Sequence, residues 1–328
     1  MMRVPVAVFC YNRAEHLGRA LESLAHCIHI EDVDVHIFCD AAKGTLDAPG
    51  VEATRRVAAA FAKRARAIVH CSPTNRGCDH SIVDGVTSLC TQYGRVIVIE
   101  DDFIVSPDFL HYMLEGLDRY ASSLEVYQLS GFMYRVPIES ATDALFMPIV
   151  TSRGWATWKR AWDFFDWNLP EVAELFSNRR VRYRFDFGAR FGWSHTLYLG
   201  LKGGTPNWDT VWYWAVFRRS GLVLFPKRSL VWVGGWDGTG VHGATVAPPQ
   251  EPSKRFSSQR LSSPIIFPDR IAVDRTAFIR VKRFAGRAEG HSKSFLGWVD
   301  HMAYDELMMN HPRLFERLQP LHRRIFSQ

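Results

Sequence analysis

Residues Arg95 to Tyr112 read RVIVIEDDFIVSPDFLHY, an apolar run that stops abruptly in three consecutive acids. Val96 to Ile99 is too short and too β-branched for a helix, so the pattern predicts a buried strand. Ser106, Pro107 and Asp108 then have the order of a helix start, with Ser106 as N-cap, Pro107 at the first helical position and Asp108 in the first turn. Glu100, Asp101 and Asp102 therefore stand at the carboxyl end of a strand, the edge where ligands bind in open α/β sheets.

Three adjacent carboxylates repel one another unless a cation compensates them. A divalent metal suits the position. Hard oxygen ligands select magnesium or manganese, which keep one or two protein carboxylates and take their other ligands from water and substrate phosphates. The plain alternative is a solvated acidic turn, and the flanking strand and helix start put the two readings on an equal footing.

The chain before this stretch alternates strand and helix. Pro5 to Phe9 predicts a strand and Ala14 to His26 a helix whose inner face is Leu17, Ala20, Leu21 and Leu24, with Tyr11-Asn12-Arg13 between them. Val33 to Phe38 predicts a second strand ending in Cys39-Asp40. Val51 to Arg64 has helical spacing, Ala67 to His70 is strand-like, and Asn75-Arg76-Gly77 turns into a helix carrying Ile82, Val83, Val86 and Leu89. Such alternation builds a largely parallel sheet from βαβ units. It gathers Arg13, Asp40, His80 and the acidic triplet on one sheet edge, although each alone is also an ordinary surface, turn or helix residue.

After Tyr120 aromatic residues become dense, with ten tryptophans between Trp155 and Trp236. Core packing explains most of them, and sugar sites also use aromatic faces. Asn207 to Arg219 has helical spacing and puts Asp209 in the first turn, as a cap or dipole partner, or as a general base if it faces the acids across a cleft. Leu222 to Phe225 and Ser229 to Val233 predict strands. Gly238 to Gly243 matches G-x-G-x-x-G, but no helix follows, so a dinucleotide fingerprint is rejected in favour of a mobile glycine-rich lid over a ligand.

The 328 residues suffice for one large α/β domain or two smaller ones. We expect a domain over 1–247, its 1–120 half binding a nucleotide and its 121–247 half holding acceptor and catalytic groups. A Pro- and Ser-rich surface linker and a basic helical extension follow over 248–328. The net charge is +6, and residues from Glu251 onward hold 14 Lys and Arg against 8 Asp and Glu, so the excess lies in that tail. The tail is expected to pack on its own domain, with attachment to an anionic membrane surface as the alternative. No nucleic-acid motif accompanies the charge, which places a nucleic-acid binder last.

The six cysteines fall in the first 90 residues without a C-x-x-C pair and are expected to be reduced and mostly buried. With no signal peptide or membrane-spanning run in the sequence, the expected location is cytoplasmic, peripheral to the inner membrane face if the tail binds there.

Together VAVFCYNRAEHLGRALESL, the Asp after the second strand, His80 before the EDD triplet, SPDF, RGW, WD and GVHG resemble the GT-A nucleotide-sugar glycosyltransferases. Among these the likeness is greatest to the N-acetylglucosaminyltransferase of complex N-glycan initiation and to bacterial family-2-like enzymes. It runs from about Arg3 to Gly243. The resemblance implies a GT-A, Rossmann-related fold with a mostly parallel central sheet flanked by helices. It implies Asp102 as the ligand of Mn2+ or Mg2+, Asp101 and Glu100 near the ribose, and Arg13, Asp40 and His80 around the uridine half of a UDP-linked donor. Gly154 and Trp155 would line the sugar site, Asp209 would be the base, and Val241 and His242 would lie in the lid. Thr210 after Asp209, and His242 where a serine is expected, depart from the pattern.

The implied reaction is inverting transfer to a glycan or lipid-linked oligosaccharide. A sugar-phosphate nucleotidyltransferase is the first alternative, but it should open with a glycine-rich loop where this chain has Tyr11-Asn12-Arg13. A non-catalytic carbohydrate-binding protein is the second.

Overall fold

The structure, a computed structural model, describes residues 3–188, 190–235 and 260–288. Strand β1 (Val4–Cys10) is buried along its whole length, and α1 (Ala14–Ala25) covers it with Leu17, Ala20, Leu21 and Leu24, the four residues that the helical spacing selects. The alternation continues through β2 (Val33–Cys39), α2 (Ala48–Arg64), β3 (Ala67–Cys71), α3 (Gly77–Tyr93) and β4 (Arg95–Glu100). Helix α3 ends at Gly94, whose φ of 76° only glycine adopts without strain.

The chain entering α4 departs from expectation. Phe103–Val105 forms a short strand, β5, and α4 (Phe109–Arg119) begins two residues later than expected, with Asp108 in the N-cap position, while Ser106 Oγ still accepts from the Asp108 N–H at 3.1 Å as a capping serine does. β5 lies antiparallel to β10 (Val231–Val233) in a separate two-stranded sheet, and the Ser106 N–H donates to Leu230 O. Asp108 is turned to Arg260, whose Nε and Nη2 both donate to its carboxylate, while the Leu261 N–H donates as well. Part of the expected linker is therefore packed, with Ile265 and Phe267 in the core.

Four further strands, β6 (Val126–Ser130), β7 (Ala144–Met147), β8 (Trp155–Trp158) and β9 (Leu222–Pro226), complete an eight-stranded sheet of order β3-β2-β1-β4-β8-β6-β9-β7. Four of its seven pairings are parallel, and β1 to β4 are wholly so. The architecture is α/β, a mostly parallel sheet flanked by helices. Chain order reverses at β1, whose neighbours are β2 and β4. In such sheets the crevice beyond the carboxyl ends at this switch point is the ligand position.

The described residues form two compact units. The first runs up to Phe165 and from Arg218 to Asp274, and the second takes Asp166 to Phe217 and the residues from Arg275 on. The second unit is helical, with short α5 (Lys159–Trp162) just before it and α6 (Val172–Ser177), α7 (Arg179–Phe185), α8 (Trp193–Lys202), most of α9 (Trp208–Arg218) and α10 (Arg275–Ala288) within it. Its core is aromatic. Phe185 stacks on Tyr213 with centroids 4.4 Å apart, the Tyr213 hydroxyl donates to Phe185 O, and Trp214 Nε1 donates to Pro170 O. Trp155, Trp158, Trp162, Trp208, Trp212, Trp214 and Trp232 are all buried, so packing accounts for these tryptophans. Among the described residues no helix is long and apolar enough to cross a membrane.

Candidate functional site

Register places the first components. Phe9 of β1 pairs with Glu100 of β4, and the Asp101 N–H donates to Phe9 O, so the chains leaving the two strands run side by side. Arg13 extends from the first of these to the second. Its Nη2 bonds Asp101 Oδ1, and its Nη1 donates to Asp102 Oδ2 at 3.2 Å. The Arg13 and Asp102 side chains are 19% and 14% exposed and that of Asp101 4%, so the triad sits at the surface with one end buried. Tyr11 N reaches Asp101 Oδ2 at 3.5 Å.

The electrostatics follow from that placement. Burial raises the Asp101 carboxyl above its ordinary value, opposed by the Arg13 cation and reinforced by the neighbouring Asp102. For Arg13 burial acts downward, and the two carboxylates together outweigh it and hold the guanidinium more firmly charged. Arg13 thus supplies the compensating cation that the sequence demands. Asp102 Oδ1 has no hydrogen-bond partner among the described residues, which leaves one hard oxygen donor of that carboxylate uncommitted there.

Asp102 is held from behind by glycines. The Gly234 N–H donates to Asp102 O at 2.8 Å, and Gly235 lies so close that a Cβ there would stand 2.1 Å from Asp102 Oδ2. His16, Arg19, Ile104 and Trp232 line a shallow dent beside it. Gly234 and Gly235 lie a few residues before the segment that the sequence reads as a lid. Their role as backing for Asp102 has no signal in the sequence, because it depends on β10 pairing with β5.

Asp40, at the end of β2, is 7% exposed and its carboxylate is occupied. It accepts from the N–H groups of Ala41, Arg76 and Gly77 at 2.8, 3.0 and 2.9 Å and from Asn75 Nδ2 at 3.1 Å. The last three of these donors lie at the entrance of α3, so Asp40 fixes the head of the helix whose first turn carries the exposed His80. Asn75 and Arg76 belong to the site although sequence reading treats them as a turn only.

Glu100 is half-buried as the last residue of β4. Trp155 opens β8 opposite Val98 and is 1% exposed, its ring packed near Trp162. Gly154 precedes it at φ 61°, where a Cβ would collide with Val231 Cγ2 at 2.6 Å. Arg13, Asp40, His80, Glu100, Asp101, Asp102, Gly154 and Trp155 all belong to the first unit. Asp209 is half-buried in the first turn of α9, in the second unit. Val241 and His242 lie outside the described residues.

No protein-family model matches the sequence, and no curated protein matches it. Among solved structures the chain is similar to S. aureus TarS 1-349, at 12% identity and TM-score 0.43, over 72% of this chain and 61% of that one. It is also similar to the mannosyltransferase PcManGT from Pyrobaculum calidifontis in complex with GDP-Man and Mn2+, at 14% identity and TM-score 0.39, over 66% and 69% of the two chains. A third is glucosyl-3-phosphoglycerate synthase from Mycobacterium tuberculosis in complex with Mn2+, UDP and phosphoglyceric acid, at 12% identity and TM-score 0.33, over 50% and 57%. The match spans about three fifths of the TarS fragment.

Proposed function

We propose that this chain is a metal-dependent, inverting glycosyltransferase of the GT-A type that takes a sugar from a UDP-linked donor such as UDP-GlcNAc. The observation that carries the reading is the Arg13 bridge to Asp101 and Asp102 at the switch point between β1 and β4. A cation fork and two carboxylates at that edge suit a diphosphate and its metal.

Asp102 would hold Mn2+ or Mg2+ through its uncommitted oxygen, and the bound ion would act as a Lewis acid on the leaving diphosphate. Arg13, held by Asp101 and Asp102, is assigned to the uridine half. Asp101 and Glu100 are assigned to the ribose, and His80 to the uridine half. Asp40, already accepting from four donors, acts through the α3 entrance it holds. Gly154 shapes the sugar subsite by letting the chain turn against Val231, with Trp155 as its packed support. Val241 and His242 complete the lid in this reading.

Asp209 is the general base. It takes the proton of the acceptor hydroxyl, whose oxygen attacks the anomeric carbon as the diphosphate departs from the opposite face, so configuration inverts. The acceptor class is a glycan or a lipid-linked oligosaccharide, and the basic tail would suit contact with an anionic membrane.

The test is release of UDP from a panel of UDP-sugars with manganese, alone and with acceptor extracts. Wild type should turn over at least one donor. Asp209→Asn should lose transfer by several orders of magnitude while still binding the donor, whereas Asp102→Ala should lose metal-dependent binding itself. Full activity in both variants on the same acceptor contradicts the assignment.

A further inference from the structure

Three cysteines stand in register at the carboxyl ends of adjacent parallel strands: Cys10 of β1 pairs with Cys39 of β2, and Cys39 with Cys71 of β3. The Cys10 and Cys39 sulfurs are 3.4 Å apart and buried. Cys71 is exposed. Strands two apart stand about 9.6 Å from each other, so the three sulfurs do not converge on one ion.

Arg55 lies across this edge. Its Nη2 donates to Asp40 O at 3.2 Å and to Ser72 O at 2.7 Å, the residues that follow Cys39 and Cys71. With the Cys10 thiol donating to it and this guanidinium beside it, Cys39 is the sulfur most easily deprotonated, its pKa held below the ordinary thiol value. Cys10 is pushed the other way, by its bond to Cys39 and then by burial. Of the two sulfurs, 3.4 Å apart, Cys39 is biased toward the thiolate and Cys10 toward keeping its proton.

We propose that Cys10 and Cys39 form a reversible dithiol–disulfide pair, in which Cys39 reacts with a hydroperoxide and Cys10 closes the bond. The Cys39 thiolate attacks the peroxide's outer oxygen, the O–O bond breaks, and the released alkoxide or hydroxide takes a proton, leaving Cys39 as a sulfenic acid. Cys10 sulfur then bonds Cys39 sulfur, and its proton leaves with the sulfenic oxygen as water. Two thiols are oxidised by two electrons and the hydroperoxide is reduced to alcohol or water. On its outer side Cys39 is covered by edge strand β3, five residues of which Ile68, His70 and Cys71 are exposed. Edge elements of this kind open locally before the core does.

A disulfide needs sulfurs about 2.0 Å apart, so closure brings the two sulfurs about 1.4 Å nearer and fixes the Cys10 and Cys39 side chains against each other. Tyr11 and Asp40 are the next residues on each strand. The bond is thus made one residue before the carboxylate that holds Arg76 and Gly77 at the head of α3, and any shift at Cys39 reaches that carboxylate first. A weaker grip on nucleotide in the oxidised form would follow, and that consequence alone rests on the donor reading above.

The experiment treats reduced full-length protein with stoichiometric hydrogen peroxide, alkylates the remaining thiols and maps peptides by fragment-ion sequencing, with dithiothreitol reversal as control. We expect a Cys10–Cys39 cross-link in wild type and in Cys71→Ser, its loss in Cys39→Ser, and recovery of both thiols on reduction. Cys10 and Cys39 still alkylated while Cys71 or Cys78 is oxidised, or a Cys39–Cys71 link, overturns the proposal. The wild-type map decides even if a variant fails to fold. Amide hydrogen exchange at Arg76 and Gly77 should quicken at least about threefold on oxidation, and unchanged exchange overturns the link to the loop. UDP titration of both forms then tests the donor consequence separately.

Discussion

A methyl group added at Gly235 would stand 2.1 Å from Asp102 Oδ2 and 3.3 Å from Arg13 Nη1. Something must move, and the carboxylate is the soft partner. Gly235→Ala is expected to swing Asp102 off Arg13 and weaken manganese-dependent nucleotide binding about tenfold, a loss near 1.4 kcal/mol. Because the clash meets a side-chain end, unfolding stability should change by less than about 1 kcal/mol. Calorimetric titration beside urea unfolding checks both, and undiminished binding would mean that Gly235 does not set the position of Asp102. At this scale the sequence shows the acids, Arg13 and Asp40 but not what occupies them. Asp40 looks like a free ligand because its partners are mostly backbone N–H groups, which no residue letter reveals.

Helix α3 approaches the sheet closely enough that only hydrogen fits at Gly85, where a Cβ would lie 2.7 Å from the Phe9 ring. That ring stacks on Phe38 at 5.0 Å and Phe38 on His70 at 4.6 Å, so it has little room to yield. Gly85→Ala should destabilise the fold by about 1–3 kcal/mol through overpacking, measured by urea unfolding. Wild-type stability in that variant would show that α3 can shift at no cost. The elements most legible in the sequence are those with a long apolar face between clear turn signals, such as α1 and β4, whereas β7, apolar and buried, is only four residues long and carries too short a pattern to read. Strands β6 and β8 are not legible because polar residues occupy their buried positions. Gln128 Nε2 donates to Thr151 O, Ser130 Oγ bonds Thr151 Oγ1, and the Thr157 hydroxyl donates to Tyr127 O. With partners found, those groups can be buried, but only the tertiary fold supplies the partners. Ser106 keeps the capping contact that the sequence suggests, to the Asp108 N–H, but the pairing of β5 with β10 has no signal in the sequence.

Stability of the whole molecule should respond to acid through His36 and His70. Nδ1 of His36 lies 3.0 Å from Nε2 of His70, and Tyr93 Oη is 3.3 Å from His36 Nε2. Burial lowers both histidines, and the His70 charge lowers His36 further. The unfolded chain takes up these protons near pH 6.5 while the folded one resists until lower pH, so unfolding is favoured as pH falls through that window. Thermal unfolding should be nearly flat from pH 8 to 7 and decline below about pH 6.5, with a shallower decline in His70→Gln. An equal decline in that variant would assign the acid sensitivity elsewhere.

The two compact units divide the assigned chemistry, with Arg13, Asp101 and Asp102 in the first and Asp209 in the second. The most direct measurement is isothermal titration of the full-length protein with UDP, GDP and dTDP, each with manganese and with chelator, repeated for Asp102→Ala. The account predicts manganese-dependent binding of UDP that the chelator and the variant both abolish. Absence of nucleotide binding in every condition, or UDP binding indifferent to manganese and to Asp102, would contradict it.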